Sequence, residues 1–410
     1  MNYLIKAPKQ IKASVHLPAS KSISNRVLIL NALSNHPQKI QNVSDCDDTN
    51  VMQKALLLDA SLIDIKAAGT AMRFLTAYLS GIPGTWTITG TERMKNRPIK
   101  ILVDALTALG ARIEYTEKEG YPPLKITGKP LSGGEISLEG GISSQYISAI
   151  LMIAPLMKNG LTLHLTGEII SKPYLQLTIE LMKQFGISVS GFEQKITISP
   201  QLYSSIPFTV ESDWSAASYW YEIAALSEDA EFELQGLFKD SLQGDSTISS
   251  LFGQLGVETT FTSSGALLKK NKQILCNRLE YDFTDIPDMA QTFAVTCTNM
   301  NIPFRFSGLQ SLKIKETDRL IALQTELLKF GYVLSIIDDS VLEWNGERCE
   351  PEKEPVVATY EDHRMAMAFA PMAICQKEGV RMADIEVVSK SYPSFWDDLQ
   401  KAGFQCDQID

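Results

Sequence analysis

"SKSISNRVLILNAL" (residues 20–33) places a cluster of polar and basic side chains directly before an unbroken apolar run. A serine ahead of such a run is a typical helix N-cap, so the stretch predicts a buried helix with Lys21 and Arg26 in its first turns. A helix N-terminus offers unpaired N–H groups and about half a positive charge. The segment therefore predicts an anion site at the start of a buried helix.

The same design, a polar start followed by a small-residue apolar helix, recurs along the chain. It begins at Ser20, Ala67, Ser143, Ser212, Pro287 and Glu361, so that successive starts lie 47, 76, 69, 75 and 74 residues apart. A second, amphipathic helix follows most of these segments and ends at Gly110, Gly186, Gly256, Gly331 or Gly403. Glycine just after a helix is a common left-handed stop. We expect about six mixed helix and strand units, packed in threes around a core rather than stacked as a solenoid.

Two short runs typical of a hairpin follow four of these glycines, for example "ISVSGF" (residues 187–192) and then "KITISP" (residues 195–200). The first interval lacks both the glycine and the hairpin, because "VMQKALLLD" (residues 51–59) continues through "ASLIDIK" (residues 60–66) directly to Ala67. The first repeat is therefore predicted to be truncated by about 25 residues, and a lost surface hairpin is the favoured interpretation because peripheral elements tolerate deletion best.

Composition narrows the class of protein. The chain has 410 residues, 44% of them apolar and 21% charged, as expected for a folded protein with two or more domains. A net charge of −10 argues against nucleic acid as a partner. The longest apolar stretch, "YISAILMIAPLM" (residues 146–157), is shorter than the roughly 20 residues that span a bilayer, and we expect no membrane partner. The start "MNYLIKAPKQ" has no secretory pattern, so a cytoplasmic location is expected.

The six cysteines show no C-x-x-C pair and no histidine at metal-ligand spacing, so no metal is expected, and the sequence has no G-x-G-x-x-G or G-x-x-x-x-G-K-[ST] motif. Basic residues instead gather at boundaries between predicted strands and helices: Lys21, Arg26, Arg73, Arg93, Lys95, Arg97, Lys313, Lys315, Arg319, Arg364 and Lys390. One such arginine is usually a solvated surface residue, but repetition at equivalent points favours anion binding. Asp285, Asp288 and Glu316 lie among these cations, and each could be an ion-pair partner or a tuned general acid or base.

Eight motifs carry a resemblance over nearly the whole chain. They are "LPASKSISNR" (17–26), "AGTAMRFL" (68–75), "RMKNRPI" (93–99), "SSQYISAIL" (143–151), "SKPYLQLT" (171–178), "DIPDMA" (285–290), "KETDRL" (315–320) and "DHRMAMA" (362–368). In this order they resemble the 5-enolpyruvylshikimate-3-phosphate synthases of the enolpyruvyl transferase family. The resemblance implies an α+β, two-domain inside-out α/β barrel of six βαβαββ repeats, three per domain about a pseudo-threefold axis. It further implies one domain of residues 1–19 and 212–410, another of residues 20–211, and an active site in the cleft between them.

The resemblance also implies transfer of the enolpyruvyl group of phosphoenolpyruvate to the 5-hydroxyl of shikimate-3-phosphate, in the shikimate pathway to chorismate and the aromatic amino acids. The resemblance implies no metal or organic cofactor, and a monomer acting on these two small molecules is expected. Asp288 would be the base, Glu316 the acid, and Lys21 would touch both substrates. Ligands of shikimate-3-phosphate would be Lys21, Ser22, Arg26, Ser143, Ser144, Gln145, Ser171, Tyr174, Asp288, Ser311 and Lys315. Ligands of phosphoenolpyruvate would be Lys21, Gly69, Arg73, Arg97, Gln145, Arg319, Arg364 and Lys390.

Two alternatives accompany this hypothesis. The related transferase that acts on UDP-N-acetylglucosamine has a mobile-loop cysteine, which would align near Glu92, and an asparagine after its lysine where this chain has Ser22. A non-catalytic anion-binding derivative is the other alternative, because Ala67 and Ser311 stand where the family has asparagine. Retention of Lys21, Asp288 and Glu316 favours an active enzyme.

Overall fold

The computed structural model describes residues 1–271 and 273–409. Its contacts divide the chain into two compact units. One, here called the discontinuous unit, consists of Met1–Pro18 and Ser212–Asp410. The other, the inserted unit, consists of Ala19–Glu211.

The inserted unit contains seven described α-helices and three small sheets. The helices are α1 (Lys21–Leu33), α2 (Asp47–Leu56), α3 (Gly69–Gly81), α4 (Glu92–Lys95), α5 (Lys100–Ala108), α6 (Ser144–Ile153) and α7 (Lys172–Gln184), and a 3₁₀ turn (Ala154–Leu156) extends α6. One sheet has the order β4 (Leu62–Asp64), β5 (Gly84–Thr89), β7 (Leu124–Gly128), β6 (Arg112–Tyr115). The others are β10 (Lys195–Ile198), β9 (Leu161–Thr166), β8 (Gly134–Glu139), and the pair β11 (Phe208–Thr209), β3 (Ile40–Gln41).

The described residues of the discontinuous unit form three four-stranded sheets. Their orders are β19 (Val356–Val357), β20 (Val380–Ala383), β1 (Asn2–Lys6), β21 (Gln405–Ile409); then β13 (Val257–Phe261), β14 (Gly265–Lys270), β12 (Ala230–Gln235), β2 (Ile11–His16); then β15 (Leu279–Asp282), β16 (Phe304–Ser307), β18 (Val341–Trp344), β17 (Ser335–Ile337). Its helices are α8 (Trp214–Leu226), α9 (Ile248–Gln254), α10 (Ala290–Asn299), α11 (Arg319–Lys329), α12 (His363–Phe369) and α13 (Phe395–Lys401). Its 3₁₀ turns are Gly244–Thr247, Pro287–Met289, Gln310–Ile314, Ala370–Ile374 and Ile385–Lys390.

One plan underlies these sheets and confirms the predicted repeat. A parallel pair is followed by an antiparallel partner and, in four sheets, by a second one, as in β15, β16, β18, β17. The strands β1 and β2 both complete sheets of the discontinuous unit, since β1 pairs with β20 and β21 and β2 pairs with β12. The first repeat keeps only the two-residue parallel pair of β3 and β11, so its predicted truncation is confirmed.

One predicted strand is wrong. Of "ISVSGF" (187–192), only Ser190 makes a bridge, to Thr197, and the segment forms no regular strand. Gly191 has φ +76, and a Cβ there would lie 2.2 Å from the backbone oxygen of Lys195. This left-handed residue interrupts the extended run that the apolar alternation had indicated.

The apolar helices that begin each repeat form the interior of both units. Nearly every residue of α3, α8 and α10 is buried, which explains why these segments are apolar on all faces. The five predicted glycine stops all have positive φ, between 83° and 104°. Among the described residues, no helix is both long and apolar enough to cross a membrane.

Candidate active site

The predicted anion ligands of the inserted unit lie at the N-termini of α1, α3, α6 and α7. Lys21 and Ser22 begin α1, and Gly69 begins α3. Ser143 caps α6 by accepting a hydrogen bond from the N–H of Gln145, and Ser171 precedes α7. None of these four helices has an acidic residue in its first turn. Their positive ends therefore remain available to an anionic ligand.

Arg26 is a buried cation surrounded by neutral groups. Its side chain is 2% exposed and donates from Nε to Thr178 Oγ1 (2.7 Å) and from Nη1 to the backbone oxygen of Ser22 (2.9 Å). The ring of Phe74 lies 5.4 Å from the guanidinium carbon. Burial lowers the pKa of Arg26 to about 10. Among the described residues no carboxylate pairs with it, and a buried charge without a counter-charge is costly, so an anion fits beside it.

A second group of cations surrounds the start of α3. Arg73 Nη1 donates to the backbone oxygen of Gly69 (2.8 Å), and its guanidinium carbon lies 5.3 Å from the ring centroid of Tyr146. A Cβ built on Gly69 would lie 2.6 Å from Arg73 Nη1 and 2.9 Å from Arg97 Nη1. A side chain at position 69 would therefore displace the guanidinium ends of Arg73 and Arg97.

Neighbouring groups hold this cluster in place. Gln145 Nε2 donates to Thr70 Oγ1 (3.2 Å), which joins the starts of α6 and α3. Lys21 Nζ lies 3.6 Å from Oδ2 of Asp48, a buried residue of α2 that the sequence did not single out. The predicted residues of the inserted unit thus gather around helix N-termini that belong to one packed set.

The discontinuous unit holds a network of alternating charges centred on Arg319, which is 1% exposed. Its guanidinium donates from Nε to Asp362 Oδ2 (2.7 Å), from Nη1 to Asp288 Oδ1 (2.8 Å) and from Nη2 to Glu316 Oε2 (3.0 Å). The two predicted catalytic carboxylates therefore share one buried guanidinium with Asp362. A shared buried cation, bound by charge-assisted hydrogen bonds, fixes the positions of these carboxylates.

Three further cations complete the network. Lys315 Nζ lies 3.2 Å from Asp288 Oδ1, and Lys390 Nζ lies 2.8 Å from Glu316 Oε1. Arg364 Nη2 lies 3.5 Å from Asp288 Oδ2. The structure thus brings Asp288, Glu316, Lys315, Arg319, Arg364 and Lys390 together, as a cluster in which cations outnumber carboxylates.

The electrostatics of Asp288 follow from these neighbours. Burial would raise its pKa, but the positive charges of Lys315, Arg364 and Arg319 outweigh burial and hold the pKa well below its ordinary value. Burial likewise opposes the charge of Arg319, yet the carboxylates of Asp362, Asp288 and Glu316 raise its pKa. Both groups are therefore charged at neutral pH, and Asp288 is a weak base until its cations are engaged elsewhere.

Other candidates lie outside the two clusters. Lys95 pairs with Glu117 (3.1 Å) and Lys313 with Asp339 (2.7 Å). Ser311 lies on the 3₁₀ turn Gln310–Ile314, and within residues 1–271 and 273–409 its side chain forms no hydrogen bond. The carboxylate of Asp285 is exposed.

Several residues of the site were not identified by sequence analysis. Asp362, which accepts from the N–H of Arg364 (2.9 Å) as the N-cap of α12, was detectable as an acidic residue directly before an apolar helix. Thr178 and Ser148, which contact Arg26, carried no such signal because only the fold brings them to α1. The described residues form no group of three or more His, Cys, Asp or Glu able to hold a metal ion.

Comparison with known proteins identifies consistent relatives. A family model described as EPSP synthase (3-phosphoshikimate 1-carboxyvinyltransferase) matches residues 5–58 and 58–399. A 3-phosphoshikimate 1-carboxyvinyltransferase of Bacteroides fragilis is 62% identical over 405 residues, 98% of each chain. One from Photobacterium damsela subsp. piscicida is 36% identical over 420 residues, 95% of this chain and 97% of the relative. The break in the family match falls at residue 58, beside the truncated first repeat.

A solved structure shows the same fold. An EPSP synthase from Acinetobacter baumannii superposes with a TM-score of 0.79 at 19% identity, and the match covers 99% of this chain and 100% of the other. The predicted α+β architecture of six repeats is thereby confirmed.

Proposed function

This chain belongs to the EPSP synthase family, and we propose that it transfers the enolpyruvyl group of phosphoenolpyruvate to the 5-hydroxyl of shikimate-3-phosphate, releasing phosphate. The observation that carries the proposal is the sharing of buried Arg319 by Asp288 and Glu316, with Lys315, Arg364 and Lys390 beside them. Such a network supplies both proton-transfer groups and the cations that two polyanionic substrates need.

Shikimate-3-phosphate is assigned mainly to the inserted unit. Its phosphate accepts hydrogen bonds from Ser143, Ser144 and Ser171 at the positive ends of α6 and α7, and Arg26 supplies the charge. Ser22, Gln145 and Tyr174 border the sugar-like ring, and Lys315 and Asp288 are assigned to the same substrate on the resemblance. Ser311 is assigned to the same substrate on the resemblance alone.

Phosphoenolpyruvate is assigned to cations of both units. Arg73 and Arg97 provide guanidinium groups close to Gly69, which begins α3. Gln145 lies beside them and contacts Thr70. Arg319, Arg364 and Lys390 provide the remaining positive charge. Lys21 contacts both substrates. We propose two domains. One consists of residues 1–19 and 212–410, and the other of residues 20–211.

The chemistry is addition followed by elimination. Asp288 takes the proton of the 5-hydroxyl of shikimate-3-phosphate as the oxygen of that hydroxyl bonds to C2 of phosphoenolpyruvate. Glu316 protonates the methylene carbon C3. The tetrahedral intermediate then loses phosphate through cleavage of the bond between C2 and the phosphate oxygen. Removal of a C3 proton restores the double bond between C2 and C3. Positioning of the two substrates and fixed positive charge around the phosphate lower the barrier.

The charge network couples this chemistry to substrate binding. In the empty site Asp288 is held ionised and weakly basic by three cations. Anionic substrates that bind Lys315, Arg364 and Arg319 neutralise those cations, and the basicity of Asp288 then rises. Glu316, which contacts Arg319 and Lys390, is assigned the role of the acid catalyst.

The finer assignments are part of the same proposal. We propose a cytoplasmic monomer that acts on small molecules without nucleic-acid or membrane partners. The net charge of −10 supports the absence of a nucleic-acid partner.

The test is acceptor specificity. Phosphate release from phosphoenolpyruvate is followed with shikimate-3-phosphate, with UDP-N-acetylglucosamine, and with no acceptor. We expect release with shikimate-3-phosphate alone. Release with the nucleotide sugar would favour the related transferase, and no release from folded protein that binds both substrates would favour a non-catalytic derivative.

A further inference from the structure

Asp245 is a buried carboxylate close to the charge network but outside every predicted set of site residues. It lies on the 3₁₀ turn Gly244–Thr247 and is 4% exposed. Gln243, two residues before Asp245, fixes this turn to the start of α8. Gln243 accepts at Oε1 from the N–H of Trp214 (3.1 Å) and donates from Nε2 to the backbone oxygen of Ser212 (2.8 Å).

Ser215 joins Asp245 to the network. The Ser215 hydroxyl donates a short hydrogen bond to Asp245 Oδ2. Arg364 Nη2 donates to the same hydroxyl oxygen (3.4 Å), and this nitrogen also lies 3.5 Å from Asp288 Oδ2. Because Ser215 gives its one proton to Asp245, its oxygen lone pairs face the guanidinium. Asp245 thereby sets the direction of the hydroxyl that Arg364 contacts.

We propose that Asp245 is a positioning residue for phosphoenolpyruvate, which acts through the Ser215 hydroxyl to hold the Arg364 guanidinium in its binding orientation. The proposal rests on the assignment of Arg364 to phosphoenolpyruvate made above. Asn at position 245 would keep the shape but could donate to Ser215, turning the hydroxyl proton toward the guanidinium. The arginine would then lose an acceptor and a nearby negative charge together.

The charge of Asp245 is consistent with this role. Burial raises its pKa to about 6, the Ser215 hydrogen bond and the charge of Arg364 oppose the rise, and Asp288 and Asp213 add to it. At pH 7.5 the carboxyl is therefore mostly ionised and able to accept from Ser215.

Steady-state kinetics with each substrate varied in turn test the proposal at pH 7.5. For Asp245→Asn and Ser215→Ala we expect the KM for phosphoenolpyruvate to rise about 12- to 160-fold, the loss of one hydrogen bond to a charged group. The KM for shikimate-3-phosphate should stay within about twofold on the same reasoning, because Arg364 is not assigned to it. The double variant should lose no more than the larger single effect, since both changes break one chain of contacts.

Matched variants separate positioning from structure. Asp240→Asn changes an exposed carboxylate on the same loop and should leave both KM values unchanged. Ser215→Thr keeps a hydroxyl and should restore most of the affinity lost in Ser215→Ala. Parallel rises of both KM values with a lower melting temperature, or additive losses in the double variant, would overturn the proposal.

Arg364→Lys distinguishes failure of this inference from failure of the proposed function. If Arg364→Lys raises the KM for phosphoenolpyruvate while Asp245→Asn and Ser215→Ala do not, the positioning role alone is wrong. If Arg364→Lys also leaves that KM unchanged, the assignment of Arg364 to phosphoenolpyruvate is wrong and the positioning role falls with it.

Discussion

Replacement of Asp288 by asparagine separates catalysis from binding in this site. Asp288 contacts Arg319 (2.8 Å), Lys315 (3.2 Å) and Arg364 (3.5 Å), so the change removes one negative charge from among three cations. Asparagine has the same shape, and its amide oxygen can still accept from Arg319. The substitution therefore removes a proton acceptor while leaving the packing in place.

The substitution should lower turnover without weakening substrate binding. Loss of general-base catalysis lowers turnover by about 10² to 10⁴-fold. A carboxylate about 5 Å from a substrate anion repels it by about 3 kcal/mol at an effective dielectric constant of about 20, an upper bound because water and salt screen the charge. Removal of that repulsion should leave substrate binding unchanged or make it as much as about tenfold tighter, even after screening reduces the gain.

Stopped-flow turnover and titration calorimetry of the same preparation measure both effects. Asp285→Asn, which neutralises an exposed carboxylate three residues earlier, is the matched control and should change neither turnover nor affinity. Near-normal turnover of folded Asp288→Asn protein would refute its role as base. Calorimetry that showed lost phosphoenolpyruvate binding with the melting temperature unchanged would refute the charge argument.

Three other substitutions test separate parts of the structure. Gly69→Ala displaces the guanidinium ends of Arg73 and Arg97. We expect at least about a tenfold rise in the KM for phosphoenolpyruvate, the value of one charged contact, with little change for shikimate-3-phosphate; equal rises for both substrates would contradict this. Ala67→Asn restores the family residue beside α3 and should change either KM by at most about tenfold with turnover similar, whereas activity gained from an undetectable baseline would show that the native chain is not an enzyme. Glu222 is fully buried and its pKa is raised well above 4.5 by burial, so the folded state keeps a proton that the unfolded state loses above that pH. This group should therefore lower the free energy of unfolding by about 1.4 kcal/mol per pH unit above pH 4.5, until the folded-state pKa is reached. Asp245, with a pKa of about 6, adds a slope of the same sign at lower pH, so the test is urea unfolding above pH 6, where Glu222→Gln should make the slope shallower by that amount; an unchanged slope would show that another group causes it.

Local sequence signals predicted the helices and the repeat well. Polar residues before apolar runs marked the starts of α1, α6 and α8, where Ser20, Ser143 and Asp213 are N-caps. Glycines after the second helices marked their ends because each occupies a left-handed conformation that other residues adopt at a cost. These signals depend on a few neighbouring residues, so sequence alone carries them.

Pairing between strands that lie far apart in the chain was harder to predict from the sequence. The strand β1 lies between β20 and β21, nearly the full chain length away, and composition gives no register for such a pair. The false strand in residues 187–192 arose because alternation of apolar residues does not reveal that Gly191 has a positive φ.

The residues of the candidate site also fall into two groups, those that short motifs revealed and those that only the fold brings together. Asp288, Glu316 and Arg319 were found because two short motifs place them among other charges. Asp362 lies 43 residues from Arg319, and only the packing of α11 beside the start of α12 makes it a partner. Asp245 was missed because nothing in its flanking residues indicates a hydrogen bond to Ser215 on α8.

The central claim, addition and elimination at C2 of phosphoenolpyruvate, is tested most directly by isotope tracing. Phosphoenolpyruvate with ¹⁸O at the oxygen that bridges C2 and phosphorus is incubated with the protein and shikimate-3-phosphate, and the released phosphate is examined by ³¹P NMR. The account predicts that phosphate appears only when shikimate-3-phosphate is present and carries the label, because the C2–O bond breaks. Unlabelled phosphate, which requires cleavage of the P–O bond, or no phosphate at all would contradict it.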